Sequence, residues 1–127
     1  YDQPAAGPEL SRVAIRKAFE GDLHAESTAE GLFCGMNDPK AGAGYVVSER
    51  VTGRLGDRSG SFVIQHGGVM GPGAAPRTFG HVVPGSGTGD LVGLTGTVEI
   101  DQADGAHTLT LDYDFAPPTG AGRAAGG

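Results

Sequence analysis

The sequence predicts an all-β domain, a small eight-stranded antiparallel barrel, and three observations lead there. Apolar and polar residues alternate with period 2 through nearly every run between Leu10 and Phe115, and no segment holds a 3.6 period. The 24 glycines and 8 prolines of the 127 residues fall mostly between those runs, where turns, bulges and tight bends need them. The runs are short and evenly spaced, the pattern of a sandwich or an up-and-down barrel, and closure into a barrel removes exposed edges.

The first run, Leu10 to Gly21, sets Val13, Ile15 and Phe19 on one face and Arg12, Arg16 and Glu20 on the other. The second, Asp22 to Cys34, sets Leu23, Ala25, Ser27 and Ala29 against His24, Glu26, Thr28 and Glu30. A helix over Ala25 to Leu32 is the local alternative, because Ala and Glu favour helices. A loop from Gly35 to Gly44 carries Asn37-Asp38-Pro39. Gly44 to Leu55 reads as a strand with Tyr45, Val47, Glu49 and Val51 on one face, and Gly60 to His66 as its return with Phe62, Ile64 and His66 together. Gly67 to Pro76 reads as a loop, and Arg77 to Val83 as a strand carrying Phe79, His81 and Val83. After the Gly85-Ser86-Gly87-Thr88-Gly89 turn, Leu91 to Asp101 carries Leu94, Val98 and Ile100. Asp104-Gly105 closes the last hairpin, and His107 to Phe115 sets Leu109, Leu111, Tyr113 and Phe115 on one face. Residues 1–9 are expected to be a lead-in, 10–116 a single barrel domain, and 117–127, rich in Ala and Gly without periodicity, a mobile tail.

Charge excludes some functions. The net charge is −6, no Lys/Arg cluster is visible, and lysine occurs only as Lys17 and Lys40, so no nucleic-acid or anionic-membrane partner is expected. No apolar run reaches the ~18 residues of a membrane helix. The lone Cys34 rules out an intrachain disulfide, leans towards a reducing cytoplasm, and reads as a small buried hydrophobe.

The residues that stand out are polar groups on apolar faces. Glu49 lies between Val47 and Val51, where a carboxylate needs a partner or a raised pKa. A hairpin loop at Asp57-Arg58 places Glu49 opposite His66; a loop one step earlier pairs Glu49 with Ile64 and leaves His66 diagonal. With Tyr45, His81 and Tyr113, these define a few polar groups in an apolar lumen, the make-up of a small-molecule site. Glu49, His66 and Tyr113 are the catalytic candidates: the pair as general acid and base, the phenol as a donor to an oxygen of the substrate. Tyr45, Phe62, Ile64, Phe79, His81 and Leu111 are the ligand-contacting candidates. A satisfied structural Glu–His bridge is the competing interpretation. No metal and no cofactor are expected, since no short His-x-His spacing occurs and the glycine-rich turn lacks the Lys-Ser/Thr ending of a phosphate loop. Glu26 and Arg50 read as solvent-facing.

The segments Gly21-Asp22-Leu23, Glu49-Arg50-Val51, Gly60-Ser61-Phe62, Gln65-His66-Gly67, Pro84 to Gly89 and Leu91 to Gly96 resemble a bacterial family of unknown function with an allene-oxide-cyclase-like barrel; likeness to dirigent proteins is weaker. The resemblance spans Leu10 to Phe115. It implies an eight-stranded barrel, often oligomeric, whose lumen takes a small apolar molecule. Its better-known relatives steer a reactive intermediate without a redox cofactor. A cofactor-free cyclase or isomerase is therefore the leading expectation, with a non-catalytic carrier or a purely structural, oligomerising barrel as alternatives. That expectation is analogy at the level of the fold.

Overall fold

The computed structural model describes residues 7–73, 75–103 and 106–116. Seven antiparallel strands, β1 (Leu10–Phe19), β2 (Leu23–Cys34), β3 (Ala43–Leu55), β4 (Arg58–Met70), β5 (Arg77–Val82), β6 (Leu94–Ala103) and β7 (Ala106–Phe115), form one sheet in sequence order. Short 3-10 turns occupy Pro39–Ala41 and Gly89–Leu91.

Period 2 decides the elements. In β2 the odd-numbered Ala25, Ser27 and Ala29 are buried and their even neighbours exposed, so the helical alternative fails despite the Ala and Glu content. β3 and β4 join through Gly56-Asp57, with Leu55 opposite Arg58. Gly56 has φ +62°, a left-handed conformation of the kind two-residue hairpin loops demand. β4 runs on to Met70, so Gly67 to Met70, expected in a loop, are strand. Strands of 13 residues consume the chain that shorter runs would have shared, and no eighth strand and no β1–β7 pairing occur among the described residues. The expected closed eight-stranded barrel is thus replaced by an open seven-stranded sheet. The last hairpin turn, Asp104-Gly105, and the expected lead-in to residue 6 and tail from 117 lie outside the described residues.

The sheet curls until both ends share one core. Ala25, Val51, Leu55, Phe62, Ile64, Val82, Leu91, Leu94 and Val98 form a single buried cluster, against which Phe19 of β1 and Leu111 and Phe115 of β7 pack. The Arg58 guanidinium lies 4.1 Å from the centre of the Phe115 ring, tying the start of β4 to the end of β7. Between β5 and β6 the chain runs back along β4. Ser86 Oγ accepts from the Val63 amide at 3.0 Å, Thr88 Oγ1 from the Ser61 amide at 3.0 Å, and Asp90 Oδ2 from the Ser59 amide at 3.2 Å. The glycine-rich segment is therefore a strap that satisfies the edge of β4, not a phosphate cradle. Gly60 permits the approach: a Cβ there would strike the Thr88 carbonyl.

Inner-face residues of the two edge strands remain open to water. Val13 is 37% exposed and Tyr113 45%, whereas Val47, Val51 and Ile64 in the middle are at most 4% exposed. The concave face is sealed at its centre and accessible along the seam between β1 and β7.

Candidate functional site

Glu49 is completely buried on the concave face, as its place between Val47 and Val51 requires. The observed register is the one that pairs it with Ile64 and Ala29, leaving His66 diagonal, opposite Val47. Diagonal neighbours lie within reach of long side chains, so the carboxylate collects partners on both sides. His66 Nε2 is 3.1 Å from Oε1, the Ser27 hydroxyl donates to Oε2, and Lys17 Nζ is 3.4 Å from Oε1. Lys17 stands on β1 opposite Ser27 and is more open to solvent than the other polar groups, at 22% exposure against 8% for His66.

Burial alone pushes the Glu49 carboxyl up. The hydrogen bonds from His66 and Ser27 and the charge of Lys17 outweigh it and hold the group below the ordinary glutamate value of about 4.5. Glu49 is thus a carboxylate, able only to accept, and His66 Nε2 carries a hydrogen towards it. His66 Nδ1 is buried and has no hydrogen-bond partner among the described residues. A buried orphan acceptor costs less than a buried orphan N–H, which favours the neutral imidazole with its lone pair on Nδ1. The Tyr45 ring stands edge-on to the imidazole at 6.1 Å and stacks on Phe33 at 5.5 Å, roofing this end of the face.

The lowered carboxyl has a consequence for stability. Its contribution is fully present above pH 4.5 and is lost as pH falls from there through the lower value of the folded state. Urea titrations of wild type and Glu49→Gln from pH 7 to 3 check this: the gap between them is expected to hold above about pH 5 and to narrow below it.

The other expected site residues divide. Tyr45 joins the cluster. Phe62 and Ile64 face the same way but sit in the sealed core at 2% and 0% exposure. Leu111 is half-buried beside them. Tyr113 is on the inner face of β7, packed edge-on to Phe115 at 6.0 Å, and donates no hydrogen bond to Glu49 or His66. Phe79 and His81 are corrected: both point outward. Gly80 lies opposite His66 and Val82 opposite Ile64, so β5 turns its even residues inward. The run holds apolar groups of both parities, Phe79 and Val82, and pairing with β4 chose Val82. Phe79 instead lies across Gly67, which has no side chain to compete. Glu26 and Arg50 are exposed, as expected. Cys34 is half-buried rather than buried.

Two cluster members were not among the expected site residues. Ser27 shares the inner parity of Ala25 and Ala29, but a hydroxyl there declares no role by itself. Lys17 shares the parity of Val13, Ile15 and Phe19, and that parity was the signal that could have found it. No group of three or more His, Cys, Asp or Glu able to hold a metal occurs among the described residues, and no helix there is long and apolar enough to cross a membrane.

These features define a curled antiparallel β domain with a buried carboxylate–imidazole pair reached by a lysine from an open seam. The sequence matches, over residues 1–113, the family described as protein of unknown function DUF3224, and the chain belongs to that family. It is similar to the crystal structure of a protein of unknown function from the DUF3224 family of Shewanella oneidensis MR-1, at 42% identity over 93% of this chain and 87% of that one, with a TM-score of 0.83. No curated protein matches.

Proposed function

We propose that the concave face binds a small, largely apolar molecule that carries one hydrogen-bond donor, and that the Glu49–His66 pair is its polar anchor. The observation behind this is the orphaned His66 Nδ1: Glu49 fixes the opposite nitrogen, so the free lone pair is aimed and waiting for a donor. The ligand enters by the seam between β1 and β7, past Lys17, and Tyr45 is the side chain that yields to admit its donor. The surrounding walls, Ala29, Val47 and Ile15, are apolar, which suits such a ligand.

The same geometry extends to chemistry. A base whose lone pair is oriented by a buried carboxylate accepts a proton from an acidic O–H or C–H, leaving the electron pair on the ligand as its conjugate base, and Glu49 balances the positive charge that develops on the imidazole. That step fits the cofactor-free cyclase or isomerase implied by the resemblance to allene-oxide-cyclase-like barrels. Without a reactive ligand, the same site is that of a carrier.

2-Naphthol and naphthalene separate the anchor from apolar contact alone. Wild type is expected to bind 2-naphthol saturably and about threefold to tenfold more tightly than naphthalene, the value of one hydrogen bond. A folded His66→Leu variant is expected to lose the preference. Equal affinity of wild type for both compounds, or saturable binding of neither, contradicts the proposal.

A further inference from the structure

The outer face of the sheet is not uniform, and pairing shows how it is divided. One row across the sheet reads Leu32 on β2, Val46 on β3, Gly67 on β4 and Phe79 on β5, all directly opposite one another. Leu32, Val46 and Phe79 are 45%, 51% and 49% exposed, and Val69 on the same face is 55% exposed. This is a continuous apolar stripe rather than scattered surface residues. It is also grooved: a depression of about 270 Å3 lies among Leu32, Val46, Gln65 and Phe79. Another of about 680 Å3 runs over Arg16, Thr28, Ser48 and Arg50.

Charge is divided in the same way. Beside the stripe, the outward positions of β1 and β3 hold Arg12, Arg16, Arg50 and Arg54, partly offset by Glu26 and Glu30 of β2, of which Glu30 pairs with Arg12 at 3.0 Å. The outward positions of β6 and β7 hold Glu99, Asp101, Asp112 and Asp114 among threonines, and neither strand contains Lys or Arg. Because the strands run in order around one core, the outer face centred on β2–β3 and that of β6–β7 point away from one another across it. A basic, apolar and grooved face therefore backs onto an acidic one.

We infer that the partner is a second copy of this chain, with the acidic outer face of β6–β7 of one copy docking on the basic and apolar outer face of β1–β5 of the next. A two-fold contact would set like faces together. Opposite faces on opposite sides instead give a head-to-tail contact, which leaves one free face of each kind after every addition and ends only when a ring closes. The charge halves set orientation, and the Leu32–Val46–Phe79 stripe supplies the apolar burial.

Sedimentation velocity of the full chain tests this. At low ionic strength wild type is expected to assemble to three or more copies, and near 1 M salt, where the Debye length is about 3 Å, to weaken at least tenfold. The Arg16→Glu/Arg50→Glu variant and the Asp112→Lys/Asp114→Lys variant each lose one face, so each alone is expected to be a monomer with wild-type circular dichroism. Mixed in equal amounts, each offers the other one native face, and the two reversed faces are again opposite in charge, so the mixture is expected to recover assembly that neither variant shows alone. Leu32→Ser/Val46→Ser is expected to weaken wild-type assembly at least tenfold. A wild type that stays monomeric at every concentration and salt, a dimer that survives both charge variants, or a mixture that stays monomeric overturns the inference.

Discussion

Replacing Glu49 by alanine is expected to cost about 3–5 kcal/mol, the range for removing one partner of a buried ion pair. The reason lies in what remains. His66 Nε2 and the Ser27 hydroxyl lose their acceptor inside the sheet, and the Lys17 ammonium loses its counter-charge. With a urea slope of about 1–3 kcal/mol/M, the unfolding midpoint moves down by about 2 M. Replacing the whole group by Lys17→Met, Ser27→Ala, Glu49→Leu and His66→Phe is expected to recover most of the loss, because apolar groups of similar volume strand nothing. Recovery without binding of 2-naphthol separates a cluster kept for ligand from one kept for stability. A Glu49→Ala protein within 1 kcal/mol of wild type would mean that the cluster is not closed as described.

The second large effect concerns β5. Val82→Asp puts a carboxylate into the core, where Val82 is 2% exposed opposite Ile64, and is expected to cost more than 4 kcal/mol or to abolish folding. His81→Ser, one residue away and facing out, is expected to change stability by less than about 0.5 kcal/mol. Thermal melts of the two variants measure the contrast. The opposite order would restore the strand phase that places His81 in the interior.

β5 also shows where the sequence runs out of information. Strands with one clean apolar parity declare their inner face, as Val47, Glu49 and Val51 do on β3 and Phe62, Ile64 and His66 on β4. Arg77 to Val83 offers apolar residues on both parities, so only pairing with β4 could decide, and that pairing is non-local. The C-terminal end of β4 is hidden in the sequence for a related reason. Gly67 and Gly68 carry no side chain from which to read a face, yet their backbones pair with Val46 and Tyr45. Closure was beyond the pattern altogether, because alternation shows which way a residue points and not whether the first strand meets the last. The Glu49–His66 pair was legible because a charge on an apolar face stands out. Lys17 was not, because a long side chain on an edge strand looks like ordinary surface until its tip is traced inward. Tyr113 had the expected face but the wrong end of the sheet: β7 is an edge, and its partner across β6 is Gly96.

Imidazole 15N NMR of His66 tests the proposed anchor most directly. The expected spectrum shows a protonated Nε2 and an unprotonated Nδ1, with the Nδ1 resonance alone shifting strongly when 2-naphthol is added and naphthalene leaving it in place. A proton on Nδ1 in the free protein, or an Nδ1 signal indifferent to 2-naphthol at saturation, would contradict a lone pair held ready by Glu49.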